Sequence, residues 1–220
     1  ISGMASALDT ATQALGTQYR SSRSAYDAAG RAVYQINARG HVAQTSYDAA
    51  GRVTQTKSYA TAVTLGSAFA KSDVDTALSS QINHADNRIV SFTYDAAGRL
   101  ASSTDALGFI ESFTWDGAGN KLTFTNKKGS VWTYGYDAAG RLVQEDGPAV
   151  DLAAVTTDGS GNLVVDADNS ASQVSVRTVM AYDTLGQLLS RTEASGRPEQ
   201  RTTSYEYDAV GHQVRTIYPA

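Results

Sequence analysis

One hexapeptide dominates this sequence. Tyr26-Asp27-Ala28-Ala29-Gly30-Arg31 recurs unchanged at Tyr47 to Arg52, at Tyr94 to Arg99 and at Tyr136 to Arg141. Looser copies start at Trp115-Asp116, Tyr182-Asp183 and Tyr207-Asp208, with Gly119, Gly186 and Gly211 in the glycine position. Weaker half-copies lie between them: Asn37 to Gly40, Asp105 to Gly108, Asn126 to Gly129 and Asp158 to Gly161. About two such Asp/Asn-x-x-Gly matches would arise by chance, so the repeat decides the architecture. In its regular stretch the steps alternate between 10 and 11, through Asp95, Asp105, Asp116, Asn126 and Asp137, which makes a 21-residue unit.

A step of 10 or 11 residues fits a strand of about six or seven and a tight turn. Asp or Asn at the first turn position can accept a backbone N–H two residues on, and Gly at the fourth takes positive φ without a Cβ clash. The motif therefore predicts a type I turn closed by a glycine bulge. The structural turn residues are Asp27, Gly30, Asp48, Gly51, Asp95, Gly98, Asp116, Gly119, Asp137, Gly140, Asp183, Gly186, Asp208 and Gly211. Asp95 then pairs with Arg99, and Tyr94 stands opposite Leu100. A 21-residue unit is odd, and strict alternation would turn successive tyrosines to opposite faces. One loop per unit must be odd and the other even; the odd loop is assigned to the Tyr-Asp copies and the even one to the half-copies. That gathers Tyr94, Leu100, Phe109, Phe113 and Trp115, then Trp132, Tyr134 and Tyr136, on an aromatic face opposite one rich in Thr, Ser, Glu, Lys and Arg. The motif aromatics are Tyr26, Tyr47, Tyr94, Trp115, Tyr136, Tyr182 and Tyr207.

The expected fold is all-β: antiparallel hairpins added in series into one long sheet, which native twist would coil. The array proper is residues 19–220, preceded by an irregular or helical lead-in, 1–18, with Leu8, Ala11 and Leu15 roughly on one side. Two inserts break the rhythm, at about 58–90 and 147–178. In the first, Ser72-Asp73 reads as a helix start, and Val74, Ala77, Leu78 and Ile82 recur at helical spacing, which predicts a helix from Asp73 to Asn83 laid across the sheet. In the second, Pro148 and the polar stretch 166–172 suggest a loop. The chain opens on Ile1, not Met, and reads as a segment of a longer polypeptide whose strand edges the remainder would cover.

Composition narrows function mainly by exclusion. With no cysteine among 220 residues there is no disulfide framework, zinc finger or thiol nucleophile. A net charge of −4 lacks the clustered basic excess of a nucleic-acid surface. No apolar run approaches the roughly 18 residues of a membrane-spanning helix. His41, His84 and His212 have no i, i+4 spacing for a helical metal pair, and no Gly-x-Ser-x-Gly elbow occurs. Asp158 to Asn162 and Asp166 to Asn169 resemble calcium loops but lack the glutamate at the twelfth position. Gly117-Ala118-Gly119 is flanked by strands and not by a helix, so it makes no phosphate cradle. Each repeated Asp can be a turn cap or a metal or acid–base ligand, and each post-glycine Arg an Asp partner or part of an anion-binding ladder. The spaced aromatics can be wall packing or a sugar platform. Turn capping, ion pairing and packing are the readings favoured here. No cofactor, metal or catalytic site is expected.

The four Tyr-Asp-Ala-Ala-Gly-Arg copies make residues 19 to 218 resemble the RHS/YD-repeat family. That family includes bacterial Rhs and wall-associated proteins, the large subunits of insecticidal toxin complexes, and animal teneurins. The resemblance implies a spiral sheet forming a hollow shell that, in bacterial members, encloses a toxic C-terminal domain. The family's Asp-Pro-x-Gly-Leu region, linked to self-cleavage, has no match here. The expectation is a non-catalytic wall segment of a secreted or cell-surface bacterial protein, partnered by the rest of its own polypeptide and by enclosed cargo. Alternatives are a carbohydrate- or protein-binding adhesion module and a segment that self-associates through its strand edges.

Overall fold

The turn motif sets the strand limits throughout. The computed structural model describes residues 22–66, 69–152, 155–157, 160, 163–165 and 172–219. The lead-in 1–18, with Leu8, Ala11 and Leu15, lies outside the described residues. So do most positions of both calcium-like stretches. The chain divides into two compact units between Phe109 and Ile110. Six strands of the first unit pair antiparallel into a sheet, and so do eight strands of the second.

The first unit holds β1 (Arg23–Tyr26), β2 (Ala32–Ile36), β3 (Val42–Tyr47), β4 (Val53–Ser58), helix α1 (Lys71–Leu78), β5 (Arg88–Tyr94) and β6 (Leu100–Thr104). The second holds β7 (Ile110–Trp115), β8 (Lys121–Thr125), β9 (Val131–Tyr136) and β10 (Leu142–Asp146). An excursion follows, made of β11 (Val150–Leu152), β12 (Val155–Thr157), β13 (Leu163–Val165) and β14 (Ser172–Val174). The unit ends with β15 (Arg177–Tyr182), β16 (Leu188–Glu193), β17 (Arg201–Tyr207) and β18 (Gln213–Ile217). Within each unit, strands adjacent in sequence are adjacent in space, except that β15 pairs with β10. The excursion is therefore no plain loop: β11 pairs with β14 and β12 with β13. Runs such as Leu163-Val164-Val165 favour extended backbone over the coil suggested by their polar flanks.

The register corrects the expected loop parity. The half-copies at Asn37, Asp105 and Asn126 make the same loop as the Tyr-Asp copies, because Asp or Asn at its first position and Gly at its fourth dictate one geometry. Gly108 N–H donates to Asp105 C=O at 3.0 Å, as Gly98 N–H does to Asp95 C=O at 3.0 Å. The compensating residue lies in the strand. Tyr94 pairs with Leu100 but Thr93 pairs with Ser102, so Ala101 is passed over. The same shift skips Val33, Thr54, Leu122, Val143, Leu189 and Val214. The half-copy hairpins β2–β3 and β8–β9 have no shift. A β-bulge beside each Tyr-Asp turn, and not an even loop at the half-copies, keeps the tyrosines on one face.

The packed core of the first unit lies on the other face. Ala25 pairs with Tyr34 and Ile36 with Val42, one residue out of step with Tyr26. These four are buried with Val33 and Tyr59, and α1 contributes Val74 and Leu78, 0% and 1% exposed. Each such side chain is worth about 1.5–3 kcal/mol of burial. The helix begins two residues before the predicted Asp73. Asp73 lies in its first turn and accepts Ala70 N–H at 2.8 Å, so it acts from inside the helix. It ends at Leu78, not Asn83, where Ser79 turns back to bond the Thr76 carbonyl at 2.8 Å. Serine competes in this way with helix propagation. Ile82 falls beyond the helix and is exposed.

Candidate functional site

Every Tyr-Asp turn is built on the same hydrogen bonds. In all seven, the Asp N–H donates to the carbonyl four residues on at 2.9–3.0 Å. The Gly N–H returns to the Asp carbonyl at 2.9–3.2 Å. The Asp Oδ1 accepts the backbone N–H groups two and four residues later at 2.8–3.0 Å. Glycines 30, 51, 98, 119, 140, 186 and 211 all have φ between 77° and 95°. Asn37 and Asn126 head half-copy turns in the same way, each through its side-chain oxygen.

The second carboxylate oxygen holds the residue after the glycine. Arg31, Arg52, Arg99 and Arg141 donate Nε to Oδ2 of Asp27, Asp48, Asp95 and Asp137 at 2.7–2.8 Å. Asn120 donates Nδ2 to Asp116 Oδ2 at 2.9 Å, and His212 Nδ1 lies 3.1 Å from Asp208 Oδ2. These contacts depress the carboxyls. The Arg backbone N–H is the largest influence for Asp27, Asp48, Asp95 and Asp137, the Asn120 side chain for Asp116, and the His212 backbone N–H for Asp208.

The same arginines then tie one repeat to the next, a link that sequence reasoning missed. The Arg31 guanidinium lies 4.8 Å over the Tyr47 ring, Arg52 4.7 Å over Tyr94 and Arg141 4.9 Å over Tyr182. Arg31 and Arg141 also donate Nη1 to the Asp48 and Asp183 carbonyls at 3.2 and 2.9 Å. The tyrosine hydroxyl bonds back to the preceding repeat. Tyr47 donates to Ala32 O, Tyr94 to Val53 O, Tyr182 to Leu142 O and Tyr207 to Leu188 O, at 2.8–3.0 Å. The spacing alone contained a signal, since each acceptor lies two residues beyond a turn glycine. Only the strand register shows which tyrosine reaches it.

In the second unit the aromatic face is a row of standing rings. Phe124 has Phe113 stacked on one side at 5.3 Å and Trp132 on the other at 5.4 Å, and Trp115 lies 6.4 Å from Phe113. Lys121 lies 4.4 Å over Tyr134. Phe109 is half exposed beside its turn. Opposite lie hydroxyl pairs such as Thr114–Thr123, 2.7 Å apart. In the first unit that opposite face holds a polar network above the core: Tyr34 donates to Asp75 at 2.7 Å, and Tyr59 donates to Gln44 at 2.8 Å. Burial, then the hydrogen bond to Asp75, pushes the Tyr34 hydroxyl well above its ordinary value. His41 and His212 follow turn glycines, and His84 lies beyond α1, so the three are dispersed. Among the described residues no group of three His, Asp or Glu side chains could hold a metal. No described helix is long and apolar enough to cross a membrane.

The profile of the teneurin YD-shell family matches residues 34–218. The chain belongs to that family. Of solved structures, the crystal structure of TcdB2-TccC3 is similar over 90% of this YD-shell chain and 9% of its own, at 21% identity and a TM-score of 0.57. At that identity the likeness is one of fold. A TcdB2-TccC3-Cdc42 structure matches 90% of this chain and 10% of its own at 15% identity, TM-score 0.45. The Photorhabdus luminescens Tc holotoxin pore matches 90% and 13% at 14% identity, TM-score 0.29. The YD-shell chain thus spans only about a tenth of these structures' length. No curated protein matches it. It is a structural shell segment, and its candidate site is the joint between repeats.

Proposed function

We propose that this YD-shell segment is a non-catalytic wall, part of a secreted or surface-exposed bacterial protein that encloses cargo such as a C-terminal toxin. The observation that carries this reading is the joint itself. Carboxylate, guanidinium, tyrosine ring and backbone carbonyl are used on one another, which serves stiffness between hairpins. A carbohydrate platform needs free ring faces, whereas both faces of Phe124 are covered by its neighbours. The turn residues and motif aromatics named above are, on this reading, the functional residues of the wall. The test is protease protection in the polypeptide that carries the segment. Enclosed regions resist added protease while the wall is intact and become cleavable once Tyr94→Ala opens a joint. Equal cleavage before and after opening overturns the reading.

A further inference from the structure

A cavity of about 690 Å³ opens in the second unit where the start of β9, the end of β10 and the start of β15 meet the loop at 194–200. Strand register builds its floor, because antiparallel pairing sets Asp146 between Thr133 and Arg177. Arg177 donates Nε to Asp146 Oδ1 at 2.7 Å and Nη2 to Oδ2 at 3.2 Å, and Gln144 donates Nε2 to Oδ2 at 2.7 Å. Thr133 adds a further hydrogen bond. A carboxylate accepts about four such bonds, so Asp146, with its side chain 18% exposed, has little left to offer. The loop makes the facing wall. It bends back through left-handed backbone at Gly196 (φ 78°) and at Ala194 (φ 50°), the one non-glycine with positive φ among the described residues. Ser195 N–H then donates to Arg177 C=O at 2.9 Å, and Arg197 N–H to Ala194 C=O at 3.1 Å. Held in this way, Arg197 lines the cavity and donates Nη2 to Ser175 C=O at 3.3 Å. Among the described residues no carboxylate pairs with it.

Guanidinium N–H groups are therefore what this cavity holds out to a guest. Two arginines and one aspartate in the lining leave one positive charge uncompensated, with Val131, Ala149 and Pro198 as apolar surface beside it. We propose that the cavity binds a small organic carboxylate. Its oxygens are held by Arg197 and by the Arg177 N–H groups that Asp146 leaves free, and its body lies against Val131, Ala149 and Pro198. The volume falls in the range of about 300–1,000 Å³ usual for ligand sites. Charge selects the head group: one carboxylate neutralises the lining, whereas a phosphate monoester, at roughly −1.5 to −2, overcharges it. Shape agrees, since the planar guanidinium fork matches a planar carboxylate. The site lies apart from the Tyr–Arg joints and stands independently of the wall function.

Benzoate, benzamide and phenyl phosphate carry the same ring and vary only the head group, so they test the assignment by NMR titration of the backbone amides. Benzoate gives saturable shifts at Gly147, Ser175, Ser195 and Gly196. It binds about tenfold or more tightly than benzamide, because hydrogen bonds to charged groups are the stronger class. Arg197→Gln weakens benzoate by about tenfold. Ser195→Asp leaves Arg197 and the backbone bond to Arg177 in place, adds a carboxylate at the rim and abolishes binding, so the test survives any loosening of the loop by Arg197→Gln. Arg39→Gln, which removes an exposed arginine of the first unit, leaves binding unchanged. N-acetylphenylalanine separates two sources of the same group: tighter binding than benzoate makes the guest the end of a peptide chain, weaker binding a free acid. No saturation by benzoate overturns the proposal. So does equal binding of benzamide, tighter binding of phenyl phosphate, or binding indifferent to Ser195→Asp.

Discussion

A single repeat works through a few side chains with fixed duties. The aspartate uses one oxygen on backbone donors and the other on an arginine, and the arginine covers the tyrosine of the next hairpin. Arg52→Lys keeps the charge but loses the planar fork and the stacked face. It should cost about 1 kcal/mol in denaturant unfolding, and a neutral result would remove the stack from the account. The glycines differ in what a side chain would meet. Gly98→Val forces a β-branched residue to φ +83°, at a cost of about 1–3 kcal/mol. Gly51 and Gly40 share φ +82°, but a Cβ on Gly51 meets nothing, whereas one on Gly40 lies 2.4 Å from the Val63 carbonyl oxygen. Gly40→Ala should therefore destabilise more than Gly51→Ala, and equal melting temperatures would contradict that close approach. The turn geometry was legible in the sequence because Asp, Asn and Gly act within four residues of themselves. The Arg–Tyr stack was not, because its partners are 16 to 42 residues apart and meet only once the register is known.

At the scale of elements, periodicity located α1 and the register set its limits. Val74 and Leu78 were visible as a helical pair, and both pack on β1 and β2. The sheet side of that core was hidden. Tyr34, Ile36 and Val42 lie on the face opposite the motif tyrosines, which composition marks as the polar one in most other strands. The parity of the unit was legible as a constraint, but not its solution, since a skipped residue such as Ala101 carries no special side chain. Leu78→Ala should cost about 2–5 kcal/mol, because Leu78 is 1% exposed within the core cluster and its removal leaves a cavity there. The loss should appear in thermal unfolding. A change below about 0.5 kcal/mol would mean that the helix is not docked on the sheet.

For the whole molecule the repeated carboxylates sum to a dependence on pH with a definite sign. Asp27, Asp48, Asp95, Asp116, Asp137 and Asp208 all ionise more readily in the fold than in the unfolded chain, where an aspartate titrates near about 3.9. The unfolded state thus binds more protons through this range. The stability these groups contribute is fully present above about pH 5 and is lost as pH falls through their depressed folded values. Because they are solvent-accessible, each contributes little and the series sets the steepness. Melting temperature should be flat with pH near neutrality and fall steeply below about pH 4, more so in low salt. Asparagine separates charge from turn geometry, since Asn37 and Asn126 already head the same loop. Asp95→Asn together with Asp137→Asn should leave the hairpins folded, reduce stability slightly at neutral pH and flatten the acid limb. An acid limb as steep as in the parent would show that other groups, such as Asp75 or Asp146, govern acid unfolding.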